Sequence, residues 1–182
     1  MRRQSDELIV TRSWKSTDAA AAVRIFFSMA PKAAARELMQ ELCSDDPYDH
    51  RCGAELARLV SRHQPGILAA YADLLAEIAA ALPIDEWQAR GYVLVAAALN
   101  AATSSQRQRL LPLVRARLAE DRIAVRAMAL EAFAFLAAEE PDLRDEAMEL
   151  LEQQRHSSEP ALRARARLMM PVIMRAEARP KR

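Results

Sequence analysis

Potential metal ligands concentrate in one place along this 182-residue sequence: Cys43, Asp45, Asp46, Asp49, His50 and Cys52 fall within ten residues. Zinc takes tetrahedral nitrogen and sulfur ligands, usually in closely spaced pairs. No C-x-x-C pair occurs here, and Asp46, followed by Pro47, suits a helix cap better than a ligand. An inter-helix loop with two half-buried thiols is expected instead. The other histidines, His63 and His156, sit in no nucleophile, metalloprotease or deaminase motif. Ser104–Ser105 and Ser157–Ser158 are turn residues without a paired base. Glu139–Glu140 precede Pro141 at a helix end, where acids are usually solvated. No glycine-rich loop is present to cradle a phosphate. No catalytic residue, metal site or cofactor is expected.

The elements around these residues follow a period. Arg51, Arg90, Arg126 and Arg163 recur at intervals of 39, 36 and 37 residues, by subtraction of their positions. Five positions before each stands a helix-capping type: Asp46, Asp85, Asp121 and Ser158. Such a period marks a helical repeat array, in which each helix pair buries its apolar face only against its neighbours. Composition agrees. Apolar residues make up 52% and aromatics only 5%, with alanine, the best helix former, prominent and three glycines in all. The chain reads as all-α.

Residues 1–16 lack clear periodicity; Ile9, Val10 and Trp14 either cap the first helix pair or belong to a mobile segment. A repeat domain is expected over residues 17–174, as about four helix pairs and a C-terminal capping helix. Each pair after the first opens at one of the aspartates. Asp85 has Gln88 three residues on, close to a capping box. Thr103–Ser105 form a break, Pro112 should kink its helix or delay its regular part, and Pro171 should interrupt the last helix. Residues 175–182 read as a frayed basic tail. No apolar run reaches membrane-span length, no signal-peptide pattern follows Met1, and two cysteines make no disulfide framework, so a cytoplasmic protein with reduced thiols is expected.

The run from Asp121 through Val125–Arg126, Ala129 and Phe133 to Pro141 resembles a HEAT repeat, and Leu162–Arg163–Ala164–Arg165–Ala166 repeats its pattern. Asp46–Arg51 and Asp85–Arg90 match the cap-and-arginine register alone, with His50 and Ala89 in place of valine. The resemblance covers roughly residues 46 to 174. It implies a right-handed α-α superhelix, first helices convex and second helices concave, and scaffolding rather than catalysis. Arginine's planar fork suits pairing between units, so Arg51, Arg90, Arg126 and Arg163 are expected to be structural inter-repeat residues.

A formal charge of +1 argues against a polyanion partner. The expected role is a non-catalytic scaffold or interaction module that binds another protein or peptide on the concave face. Arg109, Asp145, Glu146 and Glu149 on second helices are candidates for that surface, with Trp87 as a possible aromatic anchor. The alternative is a nucleic-acid-binding or DNA-repair protein of HEAT-like fold, such as some bacterial alkylpurine DNA glycosylases; few aromatics and mixed-sign second helices speak against it. An accessory role like that of the HEAT-like phycobilin lyases rests on repeat type alone. The Met169, Met170, Val172, Ile173 and Met174 cluster offers a homodimer contact at the open end.

Overall fold

Alanine- and leucine-rich segments punctuated by proline and short polar turns fold into nine helices, with no strand, among residues 18–178, the part of the chain that this computed structural model describes. They are α1 (Ala19–Ser28), α2 (Pro31–Leu42), α3 (Pro47–His63), α4 (Ala72–Ala81), α5 (Trp87–Asn100), α6 (Ser104–Leu118), α7 (Ile123–Glu139), α8 (Arg144–Arg155) and α9 (Pro160–Glu177). Single 3-10 turns, Ala69–Tyr71 and Pro141–Leu143, lead into α4 and α8. The expectations for residues 1–16, Trp14 included, and for residues 179–182 lie outside the described residues. No described helix is long and apolar enough to cross a membrane.

Three helix starts follow local chemistry. Asp18 accepts from the Ala21 amide at 2.7 Å, Asp46 accepts from the Tyr48 amide at 2.9 Å, and Thr103 with Gln106 forms a reciprocal capping box. The caps expected at Asp85, Asp121 and Ser158 do not form. Those helices start one residue later, at Glu86, Arg122 and Glu159, without a side-chain cap. Long-range contacts hold two of these starts. Glu86 meets His50 of α3 at 2.8 Å, and Arg122 lies over the Trp87 ring of α5. A tertiary partner there outweighs a cap typically worth about 1 kcal/mol.

The two internal prolines also depart from expectation. α6 runs through Pro112 and α9 through Pro171. Both prolines are solvent-exposed, where a carbonyl displaced by the ring can face water. α9 continues to Glu177 with Ala176 buried, so residues 175–177 belong to the helix and not to a frayed tail.

The helices carrying the four periodic arginines, α3, α5, α7 and α9, pack as successive neighbours. α3 and α5 run the same way: His50–Glu86 joins their N-terminal ends, and Ser61–Asn100 joins their C-terminal ends at 2.7 Å. α5 and α7 are apolar nearly all round because each has neighbours on both sides within this layer and an outer helix behind it. A Cβ on Gly91 would lie 3.3 Å from the Met128 Cβ and collide with the rest of that side chain, so glycine lets α5 and α7 approach closely. The pairing differs from the one expected. α4 packs on α5, α6 on α7 and α8 mainly on α9, so each outer helix leans on the inner helix that follows it. With α2 on α3, the molecule comprises four helix hairpins preceded by α1. One continuous run of buried side chains, from Phe26 through Leu38, Leu75, Leu94, Phe133 and Leu151, joins them. Full burial of each such side chain contributes roughly 1.5–3 kcal/mol.

Candidate binding cleft

Glu131 is the one acidic residue of α7 before the helix end, and its side chain is 1% exposed. Arg62, near the C-terminal end of α3, donates from Nε at 2.6 Å and from Nη2 to Glu131 Oε1. Arg165, on α9, donates from Nη1 to Glu131 Oε2. Arg62 thus reaches Glu131 past α5, the helix that lies between α3 and α7 in the layer.

A cleft of about 600 Å³ lies across the C-terminal ends of α3, α5, α7 and α9. Leu99, Phe135, Ala138 and Val172 supply apolar lining, and Arg62, Arg107, Arg175 and Glu139 supply charge. Its wall is built from buried polar bonds. The Asn100 amide accepts from the Leu68 backbone at 2.7 Å and donates to Ser61 Oγ at 2.7 Å and to the Ala96 carbonyl at 2.8 Å. Gly66, with φ +84° and nothing near its Cβ position, takes the left-handed turn that lets its amide reach the Leu99 carbonyl at 3.2 Å. Arg107 donates to Glu140 at 2.7 Å and to the Ala101 carbonyl at 2.9 Å. Burial alone would push the Glu140 carboxyl up; hydrogen bonds from Arg107 and Ser104 and the guanidinium charge outweigh it, and the carboxyl titrates below its usual range. Beside the triad, Arg58 lies 4.5 Å from the Tyr92 ring centre, its guanidinium pushed below its ordinary value by burial and then by Arg62.

Arg58, Arg62, Arg107, Arg165 and Arg175 stand against Glu131, Glu139 and Glu140, five cations to three anions, an excess of two positive charges. Such a surface can hold one carboxylate beside an apolar group. It offers no nucleophile with a base and, among the described residues, no group of three or more His, Cys, Asp or Glu converges to hold a metal ion. Within the Cys43–Cys52 run, Asp46 caps α3, Asp49 accepts from Ser44, and His50 lies between Glu86 and the Ser44 carbonyl. Cys43 is exposed and Cys52 half-buried.

Of the surface residues picked from sequence, those on α6 and α8 lie on the outer layer and Trp87 lies at the N-terminal end of α5, all away from this cleft. Arg109 pairs with Asp73 of α4 at 2.5 Å, and Glu146 pairs with Arg115 of α6 at 2.7 Å. Asp145 and Glu149 are exposed on α8, and Glu149 borders a shallow hollow of about 430 Å³ between α6 and α8. Trp87 is half-buried beneath Arg122 and shares a hollow of about 170 Å³ with Arg51. The four periodic arginines have four different surroundings rather than a repeated one. Arg51 lies over Tyr48 of its own helix at 5.5 Å. Arg90 is buried, 3.8 Å from Glu120, which Arg117 also grips at 2.6 Å. Arg126 sits among Leu118, Leu130, Leu150 and Leu162. Arg163 donates to the carbonyls of Ser157 and Ser158, just ahead of its own helix. Of the C-terminal apolar cluster, Met169 and Ile173 are buried, Met170 and Val172 are half-buried, and Met174 is exposed, as is Leu168.

Sequence reasoning missed Arg62, Glu131 and Arg165. The available signal was Glu131 itself, an acid inside an otherwise apolar helical run, which cannot be buried without a cation from another element. Compared with known proteins, the chain matches no protein-family model, no curated protein and no solved structure.

Proposed function

We propose that this chain is a non-catalytic binding module, built as a short HEAT-like array, that takes a segment of a partner protein in the cleft between the C-terminal ends of α3, α5, α7 and α9. The observation that carries the reading is the Arg62–Glu131–Arg165 triad. It ties three inner helices together at the edge of a cleft whose lining mixes apolar side chains with a few fixed charges. Pockets of this size and make-up are where ligands bind, and a stacked helical array forms such a surface without a dedicated lid or loop. The helices that line the cleft, those with the periodic arginines, open the pairs expected from sequence, where the HEAT resemblance puts the convex side; the hairpin pairing makes them the second helix of each unit. A cytoplasmic location belongs to the same reading, with Cys43 and Cys52 as free thiols.

Ala138→Trp, which would fill the cleft from α7, tests it. Affinity capture with the intact chain and with this variant, both checked for equal helicity, should show partners that only the unfilled cleft retains. Identical captured sets would overturn the proposal. Nucleic-acid binding is the second reading, favoured by the arginines and Tyr92 at one face. It requires salt-sensitive retention on DNA, and an excess of two charges among interspersed glutamates gives it little support.

A further inference from the structure

We infer that the cleft's occupant is a peptide segment of a partner protein carrying one acidic side chain beside a large apolar one, the carboxylate bound by Arg62 and Arg165 and the apolar group seated against Leu99, Phe135 and Val172. This rests on the binding-module reading above and adds the chemistry of the ligand.

The argument starts from the donors. Each guanidinium has five N–H groups. Glu131 engages Arg62 through Nε and Nη2 and Arg165 through Nη1 alone. The two side chains are 33% and 23% exposed, so their remaining N–H groups are within reach of a ligand while Glu131 beneath them is closed to water. Glu131 therefore acts as a positioning residue. It fixes two forks in place, and a pre-organised donor pair loses less freedom on binding than two mobile arginines would.

The triad's charge then sets the sign of the ligand's charge. Two arginines on one glutamate leave one positive charge uncompensated, which one carboxylate neutralises. A nucleic-acid backbone would bring a phosphate at every step to a cleft that also carries Glu139 and Glu140. The apolar lining gives no site to a phosphate–sugar chain but suits a leucine or phenylalanine side chain. Arg175, exposed and held by the Pro171 carbonyl at 2.9 Å, stands at the far wall as a second, weaker contact.

The test is selection of random displayed peptides on the full-length chain, followed by anisotropy titration of a labelled peptide from the enriched pool. Enriched sequences should pair Asp or Glu with Leu, Phe or Met. Replacing the acid by its amide should weaken binding at least about tenfold, as expected for loss of a charge-assisted hydrogen bond. Arg165→Ala should weaken it similarly. Because that change touches a buried pair, Arg175→Ala, at an exposed position, provides a second variant, with a smaller loss expected. Peptides without an acid that still depend on the unfilled cleft, by the Ala138→Trp comparison, would overturn the carboxylate inference and leave the binding-module reading standing. Peptides indifferent to Ala138→Trp, an empty selection with no binding of dodecanoate either, or tight binding of oligo-dT would overturn both. Binding of dodecanoate with no peptide enrichment would show the charge chemistry to be right and the peptide source wrong.

Discussion

Arg62 in α3 donates to Glu131 in α7 across α5, the helix that lies between them in the layer. The contact ties second neighbours of the layer together through one buried carboxylate and two guanidiniums. Breaking it should be costly. Glu131→Gln leaves two guanidiniums facing each other and should destabilise the fold by about 3 kcal/mol, the low end for a broken buried pair, because both arginines can turn to water. Urea titration measures this. A double-mutant cycle with Arg165→Ala should show strong coupling, and additive effects would contradict the triad.

Gly91→Ala tests the close approach of α5 and α7. Helix propensity alone would favour alanine by about 1 kcal/mol. The collision with Met128 should reverse the sign and cost about 1–3 kcal/mol. Adding Met128→Ala should recover part of the loss. A Gly91→Ala protein with a raised melting temperature would show that the helices part freely.

Asn100 is the hub of the cleft wall, bonded to three groups. Asn100→Leu keeps the volume and strands the Leu68 amide, at a cost of about 2 kcal/mol. Hydrogen exchange reads it locally: the Leu68 amide should exchange faster than in the wild type. Unchanged protection there would dismiss the bond.

Glu140 gives a pH dependence of known sign. Its carboxyl titrates lower in the folded protein than in the unfolded chain, because Arg107 and Ser104 hold the ionised form. The unfolded state therefore binds the proton more readily, and the contribution to stability is complete above the ordinary carboxylate range. It fades as pH falls through the folded-state value. The stability gap between wild type and Glu140→Gln should accordingly shrink on acidification, and a gap independent of pH down to strong acid would refute the pairing.

The outer ion pairs should matter far less. Arg109–Asp73 and Arg115–Glu146 are half or more exposed. Arg109→Ala and Arg115→Ala should each cost less than about 1 kcal/mol and lose even that in high salt. A large, salt-insensitive effect in chemical denaturation would mean that the outer layer carries more of the fold than its exposure indicates.

Helix identity was legible because its causes are local. Asp18 and Asp46 cap as their types suggest, Pro31, Pro47 and Pro160 open helices, and the apolar density of α5 and α7 announced burial on most sides. The partner of each helix was not legible. The stripe of Leu75 and Ile78 on α4 says that one face is covered and is silent on whether α3 or α5 covers it. Asp85 and Asp121 have the composition of caps, yet His50 and Trp87, remote in sequence, decide where α5 and α7 begin. The periodic arginines drew attention by their spacing, whereas Arg62 and Arg165, which have no such register, meet at Glu131. Register reports which helix a residue belongs to, not which second neighbours meet.

The forward-leaning arrangement of the hairpins has a consequence for how the chain is made. During synthesis α4 leaves the ribosome before α5, α6 before α7 and α8 before α9, so every outer helix emerges ahead of the surface meant to cover it. At each stage the nascent protein trails one half-covered helix, and the bond from Arg62 to Glu131 can close only after some seventy further residues, by the difference of their positions, have been added. The cleft is thus the last part of the molecule to be finished.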